Sequence, residues 1–242
     1  MADYFIDPVN GDIGNSGLTK LLPKKSFDLL GMNPGNNFYL KRGTTLILNG
    51  AAAYVGIIAV GGGNGNHIIS SYSTDAANAL EAKPRISRTD NNIFFSMDSA
   101  GNTVSDITFD GTAVSILTIG INTGGQQNTF RGLDFENHPN SGTEAYAIYF
   151  RNNLASYVGP TLIEDCTFTG GGRGIAQLAA TANRVYANIR IQSCTFTNLT
   201  SHPILFTTDA NYDSIRYSNI TIDDCTITDC AGALWIRASN PD

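Results

Sequence analysis

Apolar and polar residues alternate along this chain in short bursts, and over its C-terminal half the bursts repeat. Residues 163–170 read IEDCTFTG, residues 191–198 IQSCTFTN and residues 222–229 IDDCTITD. The apolar residues that end the units are Phe109, Phe135, Phe168, Phe196 and Ile227, spaced by 26, 33, 28 and 31 residues. Two positions earlier stand Ile107, Leu133, Cys166, Cys194 and Cys225. Five positions earlier stand Val104, Phe130, Ile163, Ile191 and Ile222, and the last two units add Ile189 and Ile220. Each half of the pattern has period two, which predicts strands. The two-residue gap between the halves predicts a bend at Asp106, Gly132, Asp165, Ser193 and Asp224, mostly residue types that tolerate left-handed backbone.

A second apolar run follows each anchor after a turn rich in Gly, Asn and Ser: 145–150, 173–179, 202–208 and 232–238. Three strands per unit, with little helical periodicity between them, predict coils that stack by parallel pairing at about 4.8 Å. Like residues then form columns, one of them Ile107, Leu133, Cys166, Cys194 and Cys225. A β-sandwich would have no reason to hold an eight-residue phrase in register. The fold class is therefore all-β, a parallel β-helix.

Composition agrees. Hydrophobic residues make up 42% of the 242, charged residues only 15% against the roughly 25% of ordinary soluble domains, and there are 25 glycines. The net charge of −6 argues against nucleic acid or an anionic membrane as the main partner. The longest apolar run, 51–60, is too short to span a bilayer and is expected to be a buried strand. The first residues lack the features of a secretory signal. The expected location is therefore the cytoplasm or a particle assembled there, with the sequons at Asn198 and Asn219 read as chance matches. The four cysteines have no zinc-ligand spacing, and nothing indicates an oxidising compartment. They are expected to be free thiols, three of them in the core column.

YFIDPVNGDIGNSGLT (4–19), PGNNFYLKRGTTL (34–46), GGGNGNHIISSYS (61–73) and KPRIS (83–87) resemble the opening strand and first coils of the right-handed parallel β-helix, or pectate-lyase-like, superfold. That superfold includes many phage tailspikes and polysaccharide-active enzymes. The resemblance implies an N-terminal strand and cap over 1–33, with a short helix containing Phe27, Leu29 and Leu30 and ended by Gly31 or Gly35. The coil is expected over 34–242, its C-terminal end open as in a fragment of a longer chain. The function it implies is that of a tailspike or tail-fibre segment: a trimeric virion protein, assembled in the host cytoplasm, that works with other tail proteins in recognising host surface polysaccharide. Two alternatives stand beside it, a polysaccharide lyase or glycoside hydrolase and a bacterial β-helix surface protein.

Chemistry is sought on the outer face. Flanking the anchors are Thr108, Asp134, Thr167, Thr195 and Thr226 on one side and Asp110, Glu136, Thr169, Thr197 and Thr228 on the other. The threonines read as a solvated face. Asp110, Asp134 and Glu136 are the exception and the candidate catalytic group. Stacked like charges raise a carboxyl pKa or recruit a cation, and carboxylates about 5–9 Å apart match glycosidase acid–base pairs. His138 follows in the loop 137–144. The alternative is a solvated acidic patch, with Asp110 and Gly111 in a turn. His67, His138 and His202 read as surface residues. No metal or cofactor motif is present. If Ile148, Ile175, Ile204 and Leu234 point inward, then Tyr149, Ala176, Leu205 and Trp235 form an outward apolar column. It reads as an oligomer contact, as a sugar-stacking surface through Tyr149 and Trp235, or as a register slip of one residue.

Overall fold

The computed structural model describes residues 2–27, 35–48, 66–74, 81–88, 94–97, 99–112, 119–137, 145–150, 159–179, 185–208 and 216–236. Among them there is no helix, and every paired strand is parallel to its neighbour. Three sheets of eight, seven and six strands wrap a shared core, each built from one strand per coil. This is a parallel β-solenoid. The predicted run 51–60 lies outside the described residues, as do His138 and most of its loop.

The repeated phrase makes the corner between the first and second sheets. Thr161–Glu164 pairs in the first sheet with Val185–Gln192, and Thr167–Thr169 in the second with Thr195–Thr197. Between them the five bend residues all have positive φ, from 50° at Asp224 to 58° at Asp106 and Gly132. An L-residue there carries a steric cost. It is offset because the bend lets both half-strands face the core and lets four of the five bend amides donate to a carbonyl of the next coil: Asp106 to Arg131, Gly132 to Glu164, Asp165 to Gln192 and Ser193 to Asp223. A second left-handed set, Asn137, Gly170, Asn198 and Asp229, turns the chain from the second sheet toward the third.

The columns fill the interior. Rings of Phe109, Phe135, Phe168 and Phe196 stack in a file with centroids 5.1, 5.1 and 4.7 Å apart. Ile107, Leu133, Cys166 and Cys194 lie beside them, all at most 1% exposed. The four cysteines are free thiols. Each column thins at the last described coil, where Cys225 is only partly buried and Ile227 is 44% exposed. The strands of that coil, Arg216–Asp223, Thr226–Thr228 and Trp235–Ile236, form one edge of each sheet.

At the other end Asp3–Ile6 pairs with Asn37–Lys41. The segment after it is built of turns rather than helix as far as Phe27, and Leu29, Leu30 and Gly31 lie outside the described residues. Asp7, 2% exposed, organises the first turn: its carboxylate accepts the amides of Val9 and Asn10 and pairs with Lys41. Phe27 enters the core against Phe38 and Phe95.

His67 differs from expectation. It is 4% exposed, and its Nδ1–H donates to the Asn36 carbonyl at 2.9 Å. Its backbone amide joins a buried ladder in which the Asn102 side chain accepts from His67 and the Asn128 side chain accepts from Asn102. A polar ladder between coils can bury an imidazole that local sequence context places at the surface.

Candidate functional site

The outer face of the second sheet carries two columns fixed by strand register. One runs Thr45, Arg85, Thr108, Asp134, Thr167, Thr195, Thr226. The other runs Ile47, Ser87, Asp110, Glu136, Thr169, Thr197, Thr228. Asp134 and Glu136 therefore share a strand face, and Glu136 stacks directly on Asp110, as the sequence spacing predicts. Asp110 ends the strand Thr108–Asp110.

Two cations absent from the sequence-level candidates complete the group. Arg85 lies between Asp110 and Glu136, its guanidinium 2.9 and 2.8 Å from their oxygens. Lys83 holds Asp134 at 2.9 Å, and the Thr108 hydroxyl donates to the same carboxylate at 3.3 Å. Lys83, Arg85, Thr108, Asp134 and Glu136 line one surface depression of about 360 Å³. Asp110 stands behind Arg85 rather than in the lining.

The expectation of a raised carboxyl pKa fails at Asp110. Burial pushes it up, but the hydroxyl and amide of Thr112, 2.6 and 3.0 Å away, and the charge of Arg85 outweigh that and leave it below the ordinary carboxylate range. The hydrogen bond from Arg85 to Glu136 is the main reason the guanidinium is held more firmly charged than usual. Stacked carboxylates do recruit a cation here, and it is an arginine. Among the described residues no cluster of three or more His, Cys, Asp or Glu side chains has the arrangement of a metal site.

On the third sheet the predicted register holds, with Tyr149 beside Ala176, Ala176 beside Leu205 and Leu205 beside Trp235. No slip of one residue occurs. The column is not an open stripe, however. Ala176 and Leu205 are 0% and 5% exposed and form a small cluster with Tyr146, against which Tyr149 packs. Their burial is complete within the single chain, so they do not call for a covering partner. Trp235 remains 46% exposed, its ring edge-on to His202. Arg173 lies over the Tyr146 ring and donates to its hydroxyl. Leu234, expected inward, is 45% exposed because it belongs to the last described coil.

Lys83 and Arg85 were missed because KPRIS precedes the first recognisable anchor of the repeat. The usable signal was Ile86, which stacks on Phe109 as one more rung. Extending the column upward would have put Arg85 beside Thr108.

No protein-family model matches the chain, and no curated protein matches it. Among solved structures, the native GH136 lacto-N-biosidase from Eubacterium ramulus is 13% identical, over 85% of this chain and 43% of its own, with a TM-score of 0.49. The selenomethionine form of the same enzyme gives 13% identity, 94% and 56% coverage, and a TM-score of 0.46. A rhamnogalacturonan lyase gives 10%, 90% and 73%, and 0.44. The chain spans about half the length of the lacto-N-biosidase structures. These neighbours are carbohydrate-active β-helix enzymes.

Proposed function

We propose that this protein binds and cleaves a polysaccharide in the groove on the outer face of its second sheet. The carrying observation is the convergence of Asp134 and Glu136 with Lys83 and Arg85 on one depression of about 360 Å³, within the usual range of small-ligand sites. Its lining of hydroxyls, carboxylates and cations suits the hydroxyl-rich surface of a sugar.

Asp134 and Glu136 sit two residues apart on one strand face, a rise of about 6.7 Å. That spacing leaves room for a water molecule between the carboxyls, as in inverting glycoside hydrolases. One carboxyl would give its proton to the glycosidic oxygen, while the other takes a proton from the water that attacks the anomeric carbon. Lys83 pairs with Asp134 and Arg85 with Glu136, so each carboxyl has a cation that substrate binding can displace. Asp110 anchors Arg85 from behind and stays ionised, so it positions the cation and takes no proton-transfer role.

The test is a panel of neutral and acidic polysaccharides assayed for new reducing ends and for the absorbance of unsaturated products. The two readouts separate hydrolysis from elimination. Wild-type cleavage that falls by about 10²-fold or more in Glu136→Gln and Asp134→Asn supports the reading. Cleavage that survives in both variants, or no binding to any member of the panel, overturns it.

A second reading is a trimeric phage tailspike segment that recognises host polysaccharide without cutting it. The observation favouring it is Trp235, 46% exposed in the outward column of the third sheet. Light scattering tests it: a trimer supports it and a stable monomer refutes it.

A further inference from the structure

A second depression of about 360 Å³ adjoins the first. It is lined by Pro8, Ile13, Lys25, Ser26, Leu46 and Ile47, together with Thr45, and Thr45 also lines the carboxylate depression. The two meet at Thr45, whose side chain stands on the outer face of the second sheet. From Ile47 through Ser87 and Asp110 to Glu136 the column crosses three strand spacings, about 14 Å.

The character of the groove changes along that length. The carboxylate end is charged, whereas the other end is walled by two exposed isoleucines. Ile47 is 60% exposed and Ile13 58% exposed. Ile47 stands in the outward column, at the position occupied lower down by Asp110 and Glu136. The backbone around Ile13 is held in place: Lys24 donates to the Ile13 carbonyl at 3.0 Å, the Asn15 side chain donates to the Pro23 carbonyl at 2.9 Å, and the Gly14 amide donates to Asp12. Two large apolar side chains lining a depression, with Lys25, Ser26 and Thr45 in the same lining, suit a ligand with a small apolar group on a polar frame.

We infer that this end of the groove is a subsite for a methyl-bearing sugar, the methyl lying between Ile13 and Ile47 and the ring's polar groups facing Lys25, Ser26 and Thr45. The chemistry is shared by acetamido and 6-deoxy sugars. The inference rests on the groove being a saccharide site, and it names what the saccharide must carry at the apolar end.

The test uses two matched pairs, N-acetylglucosamine against glucose and L-rhamnose against L-mannose, titrated by NMR against the full chain and Ile47→Ser. Ile47 is mostly exposed, so the variant is expected to fold, and its circular dichroism and melting are compared with wild type. Burying one methyl group is worth about fourfold in affinity. Wild type should therefore prefer the methylated member of at least one pair by about that factor, and which pair responds identifies the source of the methyl. Ile47→Ser should lose the preference while keeping its affinity for the other member. Equal binding within both pairs, or a preference that survives in Ile47→Ser, overturns this inference and leaves the carboxylate groove standing. Absence of binding by all four sugars, together with failure on the polysaccharide panel, overturns both. A dimer that dissociates in Ile47→Ser assigns the patch to a second copy of the chain and overturns this inference alone.

Discussion

Removing one ring from the phenylalanine file tests whether column stacking holds the solenoid together. Phe168 is 1% exposed, and its ring lies within 4° of parallel to Phe135 at 5.1 Å and Phe196 at 4.7 Å. A buried Phe→Ala change costs about 3–5 kcal/mol. Here two stacked neighbours, each worth about 0.5–1.5 kcal/mol beyond area burial, are lost together, which puts Phe168→Ala near the top of that range. Ile227 occupies the same column but is 44% exposed, with a column neighbour on one side among the described residues. About half of its burial is missing, so Ile227→Ala should cost about 1 kcal/mol. Urea unfolding reads both, with far-ultraviolet circular dichroism reporting the whole coil and fluorescence reporting the single tryptophan, Trp235, in the last described coil. In a solenoid each coil contacts only its neighbours. Phe168→Ala should therefore lower both transitions, and Ile227→Ala should shift the tryptophan transition more than the dichroism. Phe168→Leu, expected to cost about 1–1.5 kcal/mol, keeps the test alive if the alanine variant does not fold. Equal costs at Phe168 and Ile227, or a cost below about 2 kcal/mol for Phe168→Ala, would refute the column argument.

Three further outcomes follow from the same geometry. Burial pushes the Asp7 carboxyl up, but Lys41 and the amides of Asn10 and Val9 hold it below the ordinary range. A carboxyl depressed by folding adds stability above its unfolded value of about 3.9 and loses it as pH falls through the folded value. Asp7→Asn should then cost about 2–3 kcal/mol at pH 7, with variant and wild-type melting curves converging as pH falls below the ordinary carboxylate range; curves that stay parallel to acid pH would contradict this. Ser193, with φ of 51°, should gain about 0.5 kcal/mol on change to glycine and lose about 1–2 kcal/mol on change to valine, and urea midpoints that move in the opposite order would count against a strained bend. A thiol reagent should label Cys225 and Cys230 in the native protein and all four cysteines in urea. Cys166 and Cys194 are sealed in the core, and burial also pushes the Cys166 thiol up; prompt native labelling of Cys166 would place it outside the core.

The repeated phrase carried most of the fold. A parallel solenoid copies one local solution at every coil, so bend residues, inward anchors and outward flanks recur at fixed offsets in the chain. The column of Cys166, Cys194 and Cys225, the five positive-φ bends and the stacking of Glu136 on Asp110 were all legible for that reason. The register of Tyr149, Ala176, Leu205 and Trp235 was legible too, because strand side chains alternate strictly.

What covers a side chain, and what pairs with it, had to come from tertiary structure. The turn segment after Asp7 shows no helix up to Phe27, because its backbone bonds back to the opening strand, Phe5 to Gly17 and Lys24 to Phe5, contacts that have no periodicity. His67 is buried by Asn36 and Asn102, residues 31 and 35 positions away. Ala176 and Leu205 point outward and are nonetheless covered, since direction follows from alternation while exposure depends on what lies above the sheet. The same holds for the carboxylates. Sequence alone determined that Asp110, Asp134 and Glu136 share one face of a stacked coil. Only the folded chain placed Arg85 and Lys83 among them, because long cationic side chains reach across columns to partners that spacing does not specify, and Arg85 helps keep Asp110 ionised.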